Sequence, residues 1–222
     1  MDERLKGLSV LGSTGSVGTQ VLDIVRTYRD RFTVIGLAAN RNHKLLSEQV
    51  AEFEPRFVHY KEPLKKGIEF PSTKVQQVTL REIATADDVD VVVTATTGDV
   101  ALSPTFEAIE KGLDIAIANK ETIICGWHFL SKLKKKYKTE ILPVDSEHFS
   151  IMELTKNVTD DEIEEIIITA SGGPFLQVPR NKLNDIKPEQ AINHPNWKMG
   201  KKISVDSANL MNKVFEVIEA YK

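Results

Sequence analysis

Short runs of β-branched and aliphatic residues alternate along most of this chain with stretches whose apolar residues recur at helical spacing, and that alternation leaves few architectures open. Extended runs lie at 8–11, 32–38, 57–60, 89–94, 114–118 and 140–144. Between them Val17, Val21, Leu22, Ile24 and Val25 form one helical stripe, Leu45, Leu46, Val50 and Phe53 a second, and Phe106, Ile109 and Leu113 a third. A helix between two strands lets the chain cross back and pair in parallel, so the series predicts an α/β fold with a doubly wound parallel sheet and these stripes in its core. With 222 residues the chain can bury a sizeable core and still hold two domains.

The join between the first strand and the first helix reads Gly12-Ser13-Thr14-Gly15-Ser16-Val17-Gly18. Small residues there let a backbone approach a pyrophosphate, and the helix amino terminus that follows offers unpaired N–H groups to its charge. The spacing G-x-x-G-x-x-G departs from the commoner G-x-G-x-x-G, and a glycine-rich turn alone also serves as a simple tight turn. Its place between strand and helix near the amino terminus favours a dinucleotide site in a Rossmann-like sheet. The second strand ends in Ala39-Asn40-Arg41-Asn42. A site for NAD would put Asp or Glu here to accept from the ribose 2′-hydroxyl. Arg41 instead offers a fork of donors to a 2′-phosphate, so NADP is expected. Thr94-Ala95-Thr96-Thr97-Gly98, after the fourth long strand, is placed on the nicotinamide-ribose side.

A run ending Ile141-Leu142-Pro143-Val144 delivers Asp145-Ser146-Glu147. At a strand end the i, i+2 spacing turns both carboxylates to one side, where they can share a hard cation. Mg²⁺ and Mn²⁺ prefer octahedral oxygen donors, so a third carboxylate would complete the protein's share, and Glu216 is the candidate. The same two acids read equally well as a helix cap and a first-turn acid ahead of Phe149. His148 is expected to support the site rather than ligate, since all-oxygen sites seldom need imidazole. In a final helix read over 204–219, Asn212, Lys213 and Glu216 share a polar face while Val214, Phe215 and Ile218 supply core. Taken alone, Lys213 and Glu216 are an exposed i, i+3 pair. Ser171-Gly172-Gly173, closing an expected strand at 165–170, offers a hydroxyl and bare amides suited to an oxyanion, and Ser207 precedes the polar face. Residues 172–202 are dense in Gly, Pro and Asn and read as a lid, with His194-Pro195-Asn196-Trp197 closing over substrate.

Composition narrows the partners. A chain with 27% charged residues and a net charge of -3 carries no nucleic-acid signature, so an anionic ligand must be held by local groups. The basic run Lys132 to Lys138 reads as a solvated helix end. Cys125 is the only cysteine, which excludes an internal disulfide and a thiolate zinc cluster within one chain and points to a reducing compartment. Lying in an apolar run, its thiol is expected to be buried. The amino terminus lacks a signal core and no apolar run is long enough to span a bilayer, so a soluble cytoplasmic protein with no membrane partner is expected.

The motifs converge. Gly12-Ser-Thr-Gly-Ser-Val-Gly18, Ala118-Asn-Lys-Glu121, Val144-Asp-Ser-Glu-His148, Ala170-Ser-Gly-Gly-Pro-Phe175 and His194-Pro-Asn-Trp-Lys-Met-Gly200 run in this order into Ser204-Val-Asp-Ser-Ala208. Together they resemble the 1-deoxy-D-xylulose 5-phosphate reductoisomerase family over almost the whole chain. The resemblance implies an NADPH-binding Rossmann-like domain over residues 1–138 and an α+β catalytic domain with a long lid over 139–222. It implies NADPH contacts from Thr14, Gly15, Ser16, Val17, Asn40, Arg41, Asn42, Asn119, Glu121 and Gly200, and a divalent metal, Mg²⁺ or Mn²⁺ with Co²⁺ as a further candidate, on Asp145, Glu147 and Glu216. Lys120, Ser146, Glu147, Ser171, His194, Ser207, Asn212, Lys213 and Glu216 would contact the sugar phosphate, with Lys120 and Lys213 also catalytic and Trp197 and Met199 on the lid. The implied reaction isomerises and reduces 1-deoxy-D-xylulose 5-phosphate to 2-C-methyl-D-erythritol 4-phosphate in non-mevalonate isoprenoid synthesis, in a homodimer. Family members continue into further catalytic structure and a carboxy-terminal helical domain, so the chain reads as a truncated member. The rival readings are a metal-independent semialdehyde-type NADP dehydrogenase, which would need Cys125 as nucleophile, and a fragment that only binds dinucleotide.

Overall fold

The computed structural model describes residues 4–64, 67–70, 74–196 and 199–222. It divides the chain into two compact units, Met1–Val144 and Asp145–Lys222. In the first unit the strands are β1 (Lys6–Leu11), β2 (Phe32–Ala39), β3 (Phe57–Tyr60), β4 (Gln76–Gln77), β5 (Val91–Thr94), β6 (Asp114–Ile117) and β7 (Ile141–Pro143). They form one sheet in the order β4-β3-β2-β1-β5-β6-β7, and every pairing is parallel. The winding runs outward from β1 in one direction and then from β5 in the other, so β1 and β5 flank the point where strand order reverses. Six of the strands lie where the hydrophobic runs placed them; β4, two exposed glutamines, carries no periodic signal.

Five helices connect these strands: α1 (Ser16–Thr27), α2 (His43–Phe53), α3 (Leu80–Ala84), α4 (Leu102–Glu110) and α5 (Lys120–Tyr137). Alternation along the strands feeds two separate core layers. Val10, Leu37 and Val58 pack with Leu22, Leu46 and Val50 of α1 and α2, while Leu11, Val92 and Ile115 pack with Ile83, Ile109 and Leu130 of α3 to α5. All twelve are fully buried, and each such side chain contributes about 2 kcal/mol of transfer free energy. The α1 stripe is narrower than its spacing predicts, because Gly18, Leu22 and Val25 are buried while Ile24 is 53% exposed. The basic run Lys132 to Lys138 closes α5 as expected, with Lys138 in the left-handed region at φ 56. Cys125 is exposed, contrary to the expectation of burial: α5 buries Thr122, Ile123, Gly126 and Leu130, and Cys125 is rotated off that face.

The second unit holds α6 (Ser146–Thr155), α7 (Pro188–Ala191), α8 (Lys201–Ala208) and α9 (Met211–Ala220), with short 3-10 segments at Asp160–Glu162 and Arg180–Asp185. Three expectations fail here. Residues 165–170 form no strand, and Ile166 and Ile167 are exposed; β-branched residues favour a strand only where a neighbour completes the ladder. The expected final helix is two helices, broken where Leu210 takes φ 63 and the Asn209 side chain accepts from the Met211 amide at 3.0 Å. Nor does α9 bury the residues read as its core: Val214 is 49% and Ile218 37% exposed, while Glu216 is 1% exposed. Among the described residues of this unit only Gly173, Ser204 and Glu216 are buried, so it is organised around polar groups.

Candidate active site

In the first unit, a cleft of about 450 Å³ opens at the carboxyl ends of β1, β2 and β5, at the strand-order reversal. Its floor is the glycine turn. Gly12 sits at φ 96, and a Cβ there would lie 2.5 Å from the Ala95 carbonyl oxygen. Gly18, one turn into α1, would place a Cβ 2.3 Å from the Gly12 oxygen, so the helix closes onto the turn only because neither residue has a side chain. The amides of Gly12 and Ser13 both donate to the Ala38 carbonyl at 2.9 Å, tying the turn to β2. A buried pair completes the support: Ser13 Oγ donates to Gln49 Oε1 at 2.8 Å, and Gln49 Nε2 donates to the Ser13 carbonyl at 2.9 Å. Sequence reading missed Gln49; its signal was an amide between the apolar positions Leu46 and Val50 on a buried helix face.

Thr14, Gly15 and Asn40 line this cleft, as do Ala95, Thr96 and Thr97, while Ser16 and Val17 open α1 beside it. Arg41 and Asn42 do not line it: the Arg41 guanidinium is held by Glu62 at 2.9 Å, and Asn42 caps α2 by accepting from the Leu45 amide. Asn119 is buried and acts on the wall. It caps α5 by accepting from the Thr122 amide at 2.8 Å, and its Nδ2 donates to the carbonyls of Thr96 at 2.7 Å and Gly98 at 2.9 Å. Lys120 and Glu121 open the same helix, Lys120 7% exposed. His59 and Lys61, at the end of β3, also line the cleft and were not read from sequence.

In the second unit one carboxylate oxygen each from Asp145, Glu147 and Glu216 lies within 4.8 Å of the others. Oxygens bound at about 2.1 Å to one Mg²⁺ are at most about 4.2 Å apart, so a small inward movement suffices for these three to hold a hard cation. Asp145 is cap and cluster member at once. It is the amino-terminal cap of α6, accepting from the Glu147 amide at 3.2 Å, and the cap is what turns Glu147 to the same side. Lys213 stands among the acids, its Nζ 2.9 Å from Glu147 Oε1 and also bonded to Glu216 and to the Thr169 carbonyl. The exposed-pair reading of Lys213 and Glu216 therefore fails, since their side chains are 20% and 1% exposed. Burial opposes the Lys213 charge, but its bonds to Glu216 and Glu147 outweigh this and raise its pKa.

Around this cluster the polar residues converge. Glu147, Ser171, Ser207, Asn212 and Lys213 line one small cleft together with Gly172. Ser146 donates to Glu147 at 2.7 Å, and Asn212 donates to Glu216. His194 accepts from the Asn196 amide at Nδ1, which leaves Nε2 to donate to Ser171 Oγ at 3.0 Å. Met199 and Gly200 precede α8, Gly200 as its cap; Trp197, read as a lid residue, lies outside the described residues.

His148 joins α6 to α9. Its Nε2 donates to the Glu216 carbonyl at 2.9 Å, and its Nδ1 lies 3.2 Å from Asp145 and 3.7 Å from Glu219. Burial opposes the imidazolium, but the Asp145 bond, the Glu216 carbonyl and the charges of Glu219 and Asp145 together raise its pKa above the ordinary 6.5. A raised folded-state pKa contributes stability that is complete below the unfolded value and is lost as pH rises through the folded one. In chelator, amide exchange of α6 and α9 is expected to quicken as pH rises above about 6.5, beyond its intrinsic pH dependence. His148→Asn should remove that excess; an excess that survives the substitution would place the titrating group elsewhere.

The first unit is a Rossmann-type α/β domain with a phosphate-type turn at its switch point, and the second carries a carboxylate triad suited to a hard cation. Residues 8–126 match the family of 1-deoxy-D-xylulose 5-phosphate reductoisomerase, and residues 141–222 match the C-terminal domain of that enzyme. The chain belongs to the 1-deoxy-D-xylulose 5-phosphate reductoisomerase family. It is 45% identical to the enzyme of that name from Prosthecochloris aestuarii over 98% of this chain and 59% of that protein. It is also 45% identical to the chloroplastic enzyme of Mentha piperita, over 97% of this chain and 48% of that protein. Among solved structures, a reductoisomerase in complex with NADPH, fosmidomycin and magnesium superposes with a TM-score of 0.87 at 34% identity, over 97% of this chain and 57% of the other. The Zymomonas mobilis enzyme in complex with NADPH gives 0.83 at 35% identity, over 98% of this chain and 58% of the other. The chain thus spans about 59% of the length of the first of these relatives.

Proposed function

We propose that this chain carries the NADPH- and metal-binding parts of a 1-deoxy-D-xylulose 5-phosphate reductoisomerase, which isomerises and reduces that sugar phosphate to 2-C-methyl-D-erythritol 4-phosphate for non-mevalonate isoprenoid synthesis. The observation that carries the reading is the triad of Asp145, Glu147 and Glu216, brought within 4.8 Å from separate segments. The cleft lined by Ser171, Ser207, Asn212 and Lys213 beside these acids supports it. A structural ion pair has no need of three carboxylates, two serine hydroxyls and a glycine pair at one place.

Asp145, Glu147 and Glu216 would hold Mg²⁺ or Mn²⁺, which supplies Lewis-acid polarisation of the substrate's carbonyl and hydroxyl oxygens. Ser171, Ser207, Asn212 and Lys213 would take the phosphate, and binding there would draw the segment of His194, Trp197 and Met199 over the substrate and exclude water. Ser146 orients Glu147, and Lys120 is assigned to the sugar. The first unit would bind NADPH, the hydride donor, with Thr14, Gly15, Ser16 and Val17 at the pyrophosphate and Asn40, Arg41 and Asn42 toward the 2′-phosphate. Asn119 and Glu121 support the nicotinamide end, and Gly200 is assigned to the cofactor from the second unit. The domain boundary read from sequence at residues 138–139 is placed instead after Val144, because β7 pairs with β6 in the first sheet, and we take the protein as a cytoplasmic homodimer. Among the described residues no helix is long and apolar enough to cross a membrane, and the single exposed cysteine accords with a reducing compartment.

The semialdehyde-type alternative needs a nucleophilic thiol at the cleft, and Cys125 is not among the residues that line it. NADPH oxidation followed at 1-deoxy-D-xylulose 5-phosphate saturation, with and without Mg²⁺ or Mn²⁺, tests the proposal on this chain and on a full-length form. Absence of metal-dependent turnover in the full-length form would overturn it. Asn119→Ala is expected to cost about 1–2 kcal/mol through loss of the α5 cap. Because the Thr96 and Gly98 carbonyls lose their anchor with it, NADPH affinity should fall as well; fluorescence titration and thermal unfolding read the two effects separately.

A further inference from the structure

We infer that Lys61 is a specificity-determining residue for the cofactor, supplying the uncompensated positive charge that selects a ribose 2′-phosphate over a 2′-hydroxyl. The inference rests on the reading of the first unit's cleft as a dinucleotide site and adds to it a residue from a different strand. In such sheets the ribose is met at the carboxyl end of β2, where this chain has Asn40 and Arg41 and no acid to accept from a 2′-hydroxyl.

The register of the sheet decides what else reaches that point. β2 and β3 pair in parallel with Ala39 opposite Tyr60, so the next residues on each strand put Asn40 beside Lys61 and Arg41 beside Glu62. The second of these pairings is seen directly, since Arg41 Nε lies 2.9 Å from Glu62 Oε1. Pleating separates the β3 side chains. Tyr60 packs on His43 and Phe70, whereas His59 and Lys61, two residues apart, both line the cleft with Asn40.

Charge then decides the assignment. Arg41 and Glu62 cancel, so by themselves they present no net charge to a dianionic phosphate, and Glu62 would repel it. Among the described residues Lys61 has no ion-pair partner, and it lines the cleft where Arg41 does not. An ammonium on a flexible stem suits a phosphate whose position the ribose fixes, and Arg41 can share the ligand once it leaves an exposed pair that is itself worth little. His59 stiffens the same wall: its Nδ1–H donates to the Val78 carbonyl at 2.8 Å.

The test is the ratio of dissociation constants for NADH and NADPH, measured by fluorescence titration on the full chain without substrate or metal. Lys61→Ala is expected to weaken NADPH about tenfold while moving NADH by less than about twofold, and Lys61→Arg to restore most of the loss. Lys61 is exposed, so its removal leaves the fold intact, and unchanged NADH binding confirms that in the same titration. An NADH-to-NADPH ratio unchanged in Lys61→Ala would overturn the inference and leave the dinucleotide site standing. Failure of the unsubstituted chain to bind either dinucleotide would overturn the site and the inference together.

Discussion

Replacing Glu216 by glutamine is expected to weaken Mg²⁺ or Mn²⁺ binding by more than about a hundredfold and to abolish metal-dependent turnover. NADPH affinity should stay within about twofold, because the substitution lies in a different unit from the dinucleotide cleft. The carboxylate is 1% exposed and is one of the three acids that converge here among the described residues, so its loss leaves the cluster two carboxylates. Glutamine keeps the volume and one acceptor oxygen for Lys213 or Asn212, which limits the structural cost. Losing the charge opposite Lys213 should still destabilise the second unit by about 1.5–3 kcal/mol, the range for a hydrogen bond to a charged group. Manganese titration by electron paramagnetic resonance, beside NADPH fluorescence titration, separates the outcomes. Equal loss of metal and NADPH binding would make Glu216 a folding residue and remove it from the metal site.

A methyl group on Gly12 is expected to have a large effect in the first unit. Gly12→Ala must either hold an alanine at φ 96 or move the turn, and its Cβ would meet the Ala95 backbone at 2.5 Å. Backbone strain and overpacking against main chain each cost about 1–3 kcal/mol, so a loss near 4 kcal/mol is expected, together with NADPH binding. Gly15→Ala is the control within the same turn. Its φ is -80 and the nearest atom to a Cβ is 3.3 Å away, so it should unfold within about 1 kcal/mol of the parent while still obstructing the pyrophosphate. Denaturant unfolding of the three proteins is decisive: a Gly12→Ala midpoint equal to that of Gly15→Ala would mean that the turn is not strained by its closure onto Ala95.

The contrast between the units shows what local sequence can carry. In the first unit every helix lies between two strands, and each side chain either faces the sheet or faces solvent. Period therefore reports burial, and Val10, Leu22, Leu46 and Ile109 could be placed in the core from spacing alone. The glycine turn was legible for the same reason, since its chemistry is complete within seven consecutive residues. Arg41 was read as a donor at the end of β2, but its pairing with Glu62 depends on which strand lies beside β2, and Lys61 was missed for the same reason. Gln49 escaped because a buried amide looks like an interruption of a stripe until the carbonyl and hydroxyl of Ser13 are seen against it.

In the second unit spacing misled. The pattern of α9 placed Val214 and Ile218 in a core, yet the helix turns its polar face inward, because Lys213, Asn212 and Glu216 satisfy one another and the backbone with bonds that exposed positions could not hold. The 165–170 segment has strand composition and no strand, since a ladder needs a partner that local sequence does not supply. What the sequence determined by itself was therefore the parallel sheet and the glycine turn between β1 and α1, both properties of residue type and short-range order, while Asp145, Glu147 and Glu216 were singled out as a set only through the family resemblance. Tertiary structure alone decided that Asp145 is cap and cluster member at once, that Lys213 pairs with both Glu147 and Glu216, and that His148 locks α6 to α9. The contacts of Glu147 with Lys213 and of His148 with Glu216 join segments more than sixty residues apart, held there by the cost of burying a charge without a partner.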